Sequence, residues 1–357
     1  MTPAASASGT PAALGYRMPA EWEPHAATWL AWPHERTDWP GKFAPIPWVY
    51  AEVVRHLVPG ERVRILVEDA ASEKQSRGVL ARAGVDLGRV DFFRIPTDRS
   101  WTRDFCPLFV RRDGDADVAL TSWRFTGWAK YPNHKRDAAV PSRLARRLGH
   151  RQWVPALGGR RLVLEGGAID VNGRGSVLAT EECLLDDVQA RNPGVSRDDL
   201  ERALAEHLGA RNVLWLGRGI AGDDTHGHVD DIARFVDART VVAAVEDDAG
   251  DPNHEPLRDN LERLGRMRDQ DGEPLRVVPL PMPSPVYFEK QRLPASYANF
   301  YIGNEAVLVP TFNDPRDREA LGILAGLFPR RRVVGIHAVD LVLGLGTLHC
   351  MTQQEPA

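Results

Sequence analysis

Leu162-Val-Leu-Glu-Gly-Gly-Ala-Ile-Asp-Val171, the turn Asn172-Gly-Arg-Gly175 and Ser176-Val-Leu-Ala-Thr180 form the stretch whose reading decides the fold. Alternating apolar positions on both sides of an Asn-Gly turn read as a β-hairpin. A helix is expected next, because Ser196 with Asp199 three residues on makes a capping box and Leu200, Leu204 and Leu208 recur at helical spacing. Asn212-Val-Leu-Trp-Leu216 then reads as a buried strand. The same order returns elsewhere in different letters. Ile232-Ala-Arg-Phe-Val236, the turn Asp237-Ala-Arg239 and Thr240-Val-Val-Ala-Ala-Val245 start it again, as does Phe300–Pro310, followed by a helix opened by Asp314-Pro315 and by Arg332–Ile336. Pro107–Arg111 with Asp115–Thr121 forms a further hairpin around Asp113-Gly114. Strands alternating with helices alone would suggest a doubly wound parallel sheet. Hairpins inside each unit favour radial repetition of mixed sheets, in which functional residues from distant segments converge on a central channel.

Composition bounds the function classes. The 357 residues are 43% apolar and 26% charged, which suits a globular chain with a sizeable core. Length alone suggests about two domains, although repeated α/β architectures of this size are often one. The net charge of -4 with interspersed signs provides no basic stripe for nucleic acid. No apolar run reaches the roughly 20 residues that span a bilayer. Residues 1–15 read as a short disordered leader without a targeting signal, and 16–357 as a single domain. Three cysteines, Cys106, Cys183 and Cys350, are too few and too odd in number for a disulfide framework, so free thiols in a reducing cytoplasm are expected.

The polar residues stand just before the hairpins. Trp101-Thr-Arg-Asp104 precedes one, Glu165-Gly-Gly167 interrupts another, His226-Gly-His-Val-Asp-Asp231 precedes a third, and Cys350 lies beyond the last strand. In strand geometry His228 and Asp230 share a face that His226 could join. Three readings of this histidine segment compete: ligands of a binuclear metal site, polar residues capping a turn, and His228 as the base for a Cys350 nucleophile. Gly217-Arg-Gly-Ile-Ala-Gly222 matches a dinucleotide fingerprint, but it runs into turn-forming Asp223-Asp-Thr rather than a helix and is set aside. Among thiol enzymes the acidic residues discriminate. Asp104, Glu165 and Asp230 would repel the oxyanion of acyl transfer. They suit a planar guanidinium, which pairs bidentately with carboxylates while a thiolate attacks its carbon.

At these residues the chain resembles the agmatine deiminase and bacterial-type peptidylarginine deiminase family of guanidine-modifying enzymes. The resemblance runs through Met18–His25, Trp29–Pro33, Trp101–Asp104, Glu165–Gly167, Thr180–Leu185, Gly227–Asp230 and His349–Gln354. It implies an α+β fold, a five-bladed β/α propeller (pentein) with a central active-site channel. It also implies Cys350 as nucleophile, His228 as proton shuttle, Asp104 and Asp230 as guanidinium ligands, and Glu165 beside the histidine. The far end of the substrate would meet Trp101, Trp128 and Asp224. The implied reaction is deimination of agmatine to N-carbamoylputrescine and ammonia, serving polyamine synthesis, with no metal or cofactor. Peptidylarginine or free-arginine deimination, amidino transfer and noncatalytic polyamine binding are the alternatives. The expected partner is a small cationic guanidine, and a homodimer is the expected assembly.

Overall fold

A computed structural model describes residues 9–114 and 117–357. It contains five sheets of three or four strands, together with two two-stranded ribbons. The deciding stretch forms the simplest of the five. Ile169–Val171 pairs antiparallel with Ser176–Thr180, which pairs in parallel with Asn212–Leu216 after the Arg197–Leu208 helix. That helix carries the expected reciprocal cap between Ser196 and Asp199, and its Leu200, Leu204 and Leu208 are buried.

The same antiparallel-then-parallel pattern recurs. Ala233–Phe235, Thr240–Val245 and Arg276–Pro281 form one sheet, with the His254–Arg266 helix between its second and third strands. Tyr301–Ile302, Ala306–Thr311 and Arg332–His337 form another, spanned by the Asp317–Leu327 helix. Leu108–Arg112 and Val118–Thr121 form the early hairpin, extended by Gln152–Trp153 and, on its outer edge, by Tyr16–Arg17. The expected strand from Asp115 is shorter, and Asp115 and Ala116 lie outside the described residues. The fifth sheet joins distant parts of the chain. Gln353–Pro356 lies antiparallel to His25–Ala31, to which Arg62–Val67 and then Val90–Arg94 are added in parallel. Trp29 Nε1 donates to Glu355 Oε2 at 2.8 Å, and Arg64 pairs with the same carboxylate, so this last pairing is closed by buried side chains as well as by the ladder.

Three apolar clusters fill the space between sheets and helices. Part of the span expected as a leader, residues 1–15, is ordered against the rest of the chain. Ala12–Leu14 forms a 3-10 turn, Leu14 packs on a core cluster, and Trp153 Nε1 donates to the Gly9 carbonyl at 3.1 Å. An apolar contact and satisfied backbone groups hold this segment down; residues 1–8 lie outside the described part. Among the described residues no helix is long and apolar enough to cross a membrane.

Candidate active site

Each sheet's first strand is entered from a short tight segment, and these five entrances carry the polar residues. Asp104 lies on the Thr102–Phe105 helical turn before Leu108–Arg112. Glu165 precedes the Gly166–Ala168 3-10 turn, and Asp230 sits in the Val229–Asp231 3-10 turn that His228 opens. Asn299 stands just before Tyr301–Ile302, and Cys350 just before Gln353–Pro356. His228 and Asp230 do come together, but not by strand alternation. His226 and Gly227 both have left-handed backbone (φ 63° and 88°), which breaks any extended run. His226 consequently turns away to Asp186 at 3.1 Å and does not join the site.

His228 is enclosed by carboxylates. Its ring nitrogens lie 3.8 Å from Asp104, 3.7 Å from Glu165 and 4.0 Å from Asp230, distances at which the attraction is ionic rather than hydrogen-bonded. Both nitrogens are buried without a hydrogen-bond partner, so the proton is not tied to any one acceptor. Burial opposes its charge, but Asp104, the Cys183 thiol and Glu165 outweigh that and hold the imidazole protonated well above its ordinary range. Glu165 is itself kept ionised against its burial by Arg191, whose Nε lies 3.2 Å from both carboxylate oxygens.

Asp104 accepts from Trp128 Nε1 at 2.8 Å and from the Gly167 amide at 3.0 Å. Burial, with Asp230 and Glu165 nearby, raises it to about 6 despite the opposing charge of His228. Asp230 goes the other way. Burial works against its charge, but the hydrogen bond and charge of His349 hold it below the ordinary carboxylate range. His349 Nδ1 lies 2.6 Å from Asp230, and its Nε2 lies 2.8 Å from Glu21. Glu21 in turn receives Arg234 at 2.9 Å and Arg103 at 3.1 Å, so Asp230 hangs from a buried charged chain. Gly167 leaves the room these groups need: a Cβ there would come within 2.5 Å of His228 Nδ1 and 3.0 Å of Asp230.

Cys350 is 6% exposed, a free thiol at the wall of a cavity of about 750 Å³. Burial, then Asp230, Asp231 and Asp104, push its thiol well above the ordinary range. The resting site is therefore poised as imidazolium and thiol beside carboxylates. Trp101, Asp104, Trp128 and Asp224 line the same cavity. Trp101 packs at 5.5 Å on Trp39 and presses on Gly344 and Gly346. Trp128 adopts left-handed backbone (φ 58°), which turns its indole onto Asp104. Asp224 lies at the cavity wall already paired with Lys130 and with the Tyr131 hydroxyl at 2.6 Å. Asp38 is likewise paired with Arg99 across the mouth.

Among the described residues, two groups have donor atoms close enough to hold a cation, Glu165 with Cys183 and His228, and Asp230 with Asp231 and Cys350. In the first, Arg191 and the proton on His228 already neutralise its one carboxylate, Glu165. Sequence reasoning missed Glu21, Arg191, Arg234, His349 and Asn299 as parts of the site. Position before a hairpin, the signal that marked Asp104 and Asp230, was available for Asn299 as well.

A family model described as Porphyromonas-type peptidyl-arginine deiminase matches residues 17–356. The chain is 35% identical to the agmatine deiminase of Ectopseudomonas mendocina (strain ymp) over 98% of its own length and 97% of that protein. It superposes on the agmatine deiminase of Enterococcus faecalis with a TM-score of 0.89 at 30% identity, covering 98% of each chain. For a substrate-bound agmatine deiminase variant of C. jejuni, the TM-score is 0.84 at 28% identity, covering 96% of each.

Proposed function

The chain belongs to the Porphyromonas-type peptidyl-arginine deiminase family, and we propose that it is an agmatine deiminase, a hydrolase of the C–N bond in a linear amidine. The observation that carries this reading is the convergence of Cys350 and Asp104 on the wall of one cavity with His228 and Asp230 packed against them. Asp104 and Asp230 pair with the guanidinium N–H groups and hold its plane against the sulfur. The arriving cation offsets the carboxylate field that keeps Cys350 protonated, so binding promotes loss of the thiol proton to solvent and formation of the thiolate. Sγ then bonds to the guanidinium carbon, His228 delivers its proton to one amino group, and the C–N bond breaks to release ammonia. The product of this half is an amidino-cysteine cation and a neutral imidazole. His228 next takes a proton from water, the hydroxide adds to the same carbon, and the C–S bond breaks as the added hydroxyl gives its remaining proton to the departing sulfur, which restores the thiol and the imidazolium and leaves the neutral ureido product. Glu165 and Arg191 keep the imidazole oriented and its charge balanced.

The five sheets of one construction support a five-bladed β/α propeller, formed by residues 16–357 as a single domain, with these entrance segments around its channel. Three free thiols fit a reducing cytoplasm. Trp101 and Trp128 line the alkyl stem, and the full-length likeness to agmatine deiminases favours agmatine as the substrate. The test is a panel of agmatine, free arginine and blocked peptidyl arginine assayed for ureido product. The highest kcat/KM is expected for agmatine. A preference for the blocked peptide would transfer the same chemistry to peptidylarginine deimination, and turnover of none would overturn the enzyme reading.

A further inference from the structure

We propose that Asn299 is the donor that holds the sulfur of Cys350 in its reactive, ionised form. The inference rests on Cys350 being the nucleophile. Of the five entrance segments, four deliver an ionisable group, and the one before Tyr301–Ile302 delivers an amide. Asn299 is 1% exposed and every part of that amide is engaged. Its Oδ1 accepts from the Thr347 hydroxyl at 2.7 Å, the His349 amide at 3.0 Å and the Cys350 amide at 3.4 Å. Three donors on one atom fix it as the oxygen, so the amide cannot be turned over. The nitrogen Nδ2 donates to Asp231 Oδ1 at 3.0 Å and to Cys350 Sγ at 3.2 Å; the sulfur also lies 3.5 Å from Oδ1, a contact that a thiol can make as donor and a thiolate cannot, so ionisation leaves the shorter N–H contact as the one that holds it.

The ionisable groups that act most strongly on the sulfur are acidic. Asp230 Oδ2 lies 4.0 Å away, and Asp231 from the same turn and Asp104 from the 102–105 turn act on it as well. The Tyr50 hydroxyl from the Ile46–Leu57 helix lies within the same field. The three carboxylates oppose a negative sulfur, whereas an amide N–H stabilises it and gives less to a neutral thiol. Asn299 is the one side-chain N–H that reaches Sγ among the described residues. It therefore offsets the carboxylates that the guanidinium requires.

Two variants separate this from merely shaping the loop. Asn299→Ala removes both the loop acceptor and the sulfur donor. Asn299→Asp keeps an acceptor for Thr347 and the two amides but replaces the donor by an anion. The readout is the pH dependence of Cys350 alkylation by iodoacetamide, which needs no substrate, so a wrong substrate assignment leaves it intact. Thermal melting is followed alongside. In both variants the thiolate inflection should move up by about one pH unit or more, a roughly tenfold loss of thiolate at fixed pH. Turnover should fall through kcat, while the KM for agmatine stays within about twofold. An Asn299→Asp protein that melts like the parent and alkylates with an unchanged inflection would overturn the proposal. So would Asn299→Ala losing activity with its inflection unmoved. If Asn299→Ala does not fold, the Asn299→Asp and Asn299→Ser proteins carry the same comparison, the serine restoring part of the shift.

Discussion

At the residue scale, the site works by placing neighbouring carboxylates in opposite electrostatic surroundings. Asp230 is held ionised by His349, whereas at Asp104 burial and two like charges outweigh the imidazolium and the Trp128 hydrogen bond, and it sits at about 6. The two should therefore part company in mild acid. As pH falls through about 6, Asp104 takes a proton and can no longer pair with a guanidinium, while Asp230 stays charged. The kcat/KM for agmatine should consequently drop on an acid limb with a midpoint near 6, about tenfold per further unit. The stability sign is the reverse. An acid whose folded value lies above its unfolded value binds more protons when folded, so Asp104 costs the fold increasingly as pH rises toward 6. A pH series of kcat/KM with melting curves on the same samples reads both. An acid limb near pH 4 would mean that burial does not perturb Asp104.

At the scale of elements, the short turns that enter the sheets matter more than the strands. The hairpins were legible because an Asn-Gly turn between alternating apolar runs has few other readings, and Ser196 with Asp199 marked its helix start as observed. The entrance turns were only half legible. Asp104, Glu165, His228, Asp230 and Cys350 carry chemistry in their side chains and drew attention, whereas Asn299 in Tyr297-Ala-Asn-Phe300 does not. His226 was misplaced for a backbone reason, because positive φ at two successive residues defeats strand alternation. The loop at the cavity mouth adds a prediction at this scale. Asp137 is fully buried, accepts from the amides of Asp98 and Arg99 at 2.6 and 3.3 Å through Oδ1, and has no partner at Oδ2. Burial pushes it up to about 8, so near neutral pH it is mostly an uncharged acid. Asp137→Asn keeps the accepting oxygen and should leave the melting temperature unchanged or higher at neutral pH. The gain should widen as pH rises from about 4 toward 8 and level off above it, where the parent buries a full charge. A variant that melts lower at every pH would show Asp137 acting as a carboxylate.

At the scale of the whole molecule, the active site is where widely separated pieces of chain are tied together. Glu21 near one end reaches Arg103, Arg234 and His349, and the fifth sheet pairs Thr28 with Gln354. Such partners are separated by up to 328 residues, and no local pattern announces them. That is why the repeated units could be read from sequence while the buried charge chain joining them could not. The segment that completes the last sheet also delivers Cys350, so assembly of the fold and assembly of the nucleophile are one event. The central claim is covalent chemistry at that sulfur. It is tested most directly by mixing the enzyme with agmatine, quenching in acid during turnover and measuring the intact protein mass. The account predicts a species heavier by agmatine less ammonia, located on the peptide containing Cys350 and absent from Cys350→Ser. Full turnover by Cys350→Ser, or an adduct on any other residue, would contradict it.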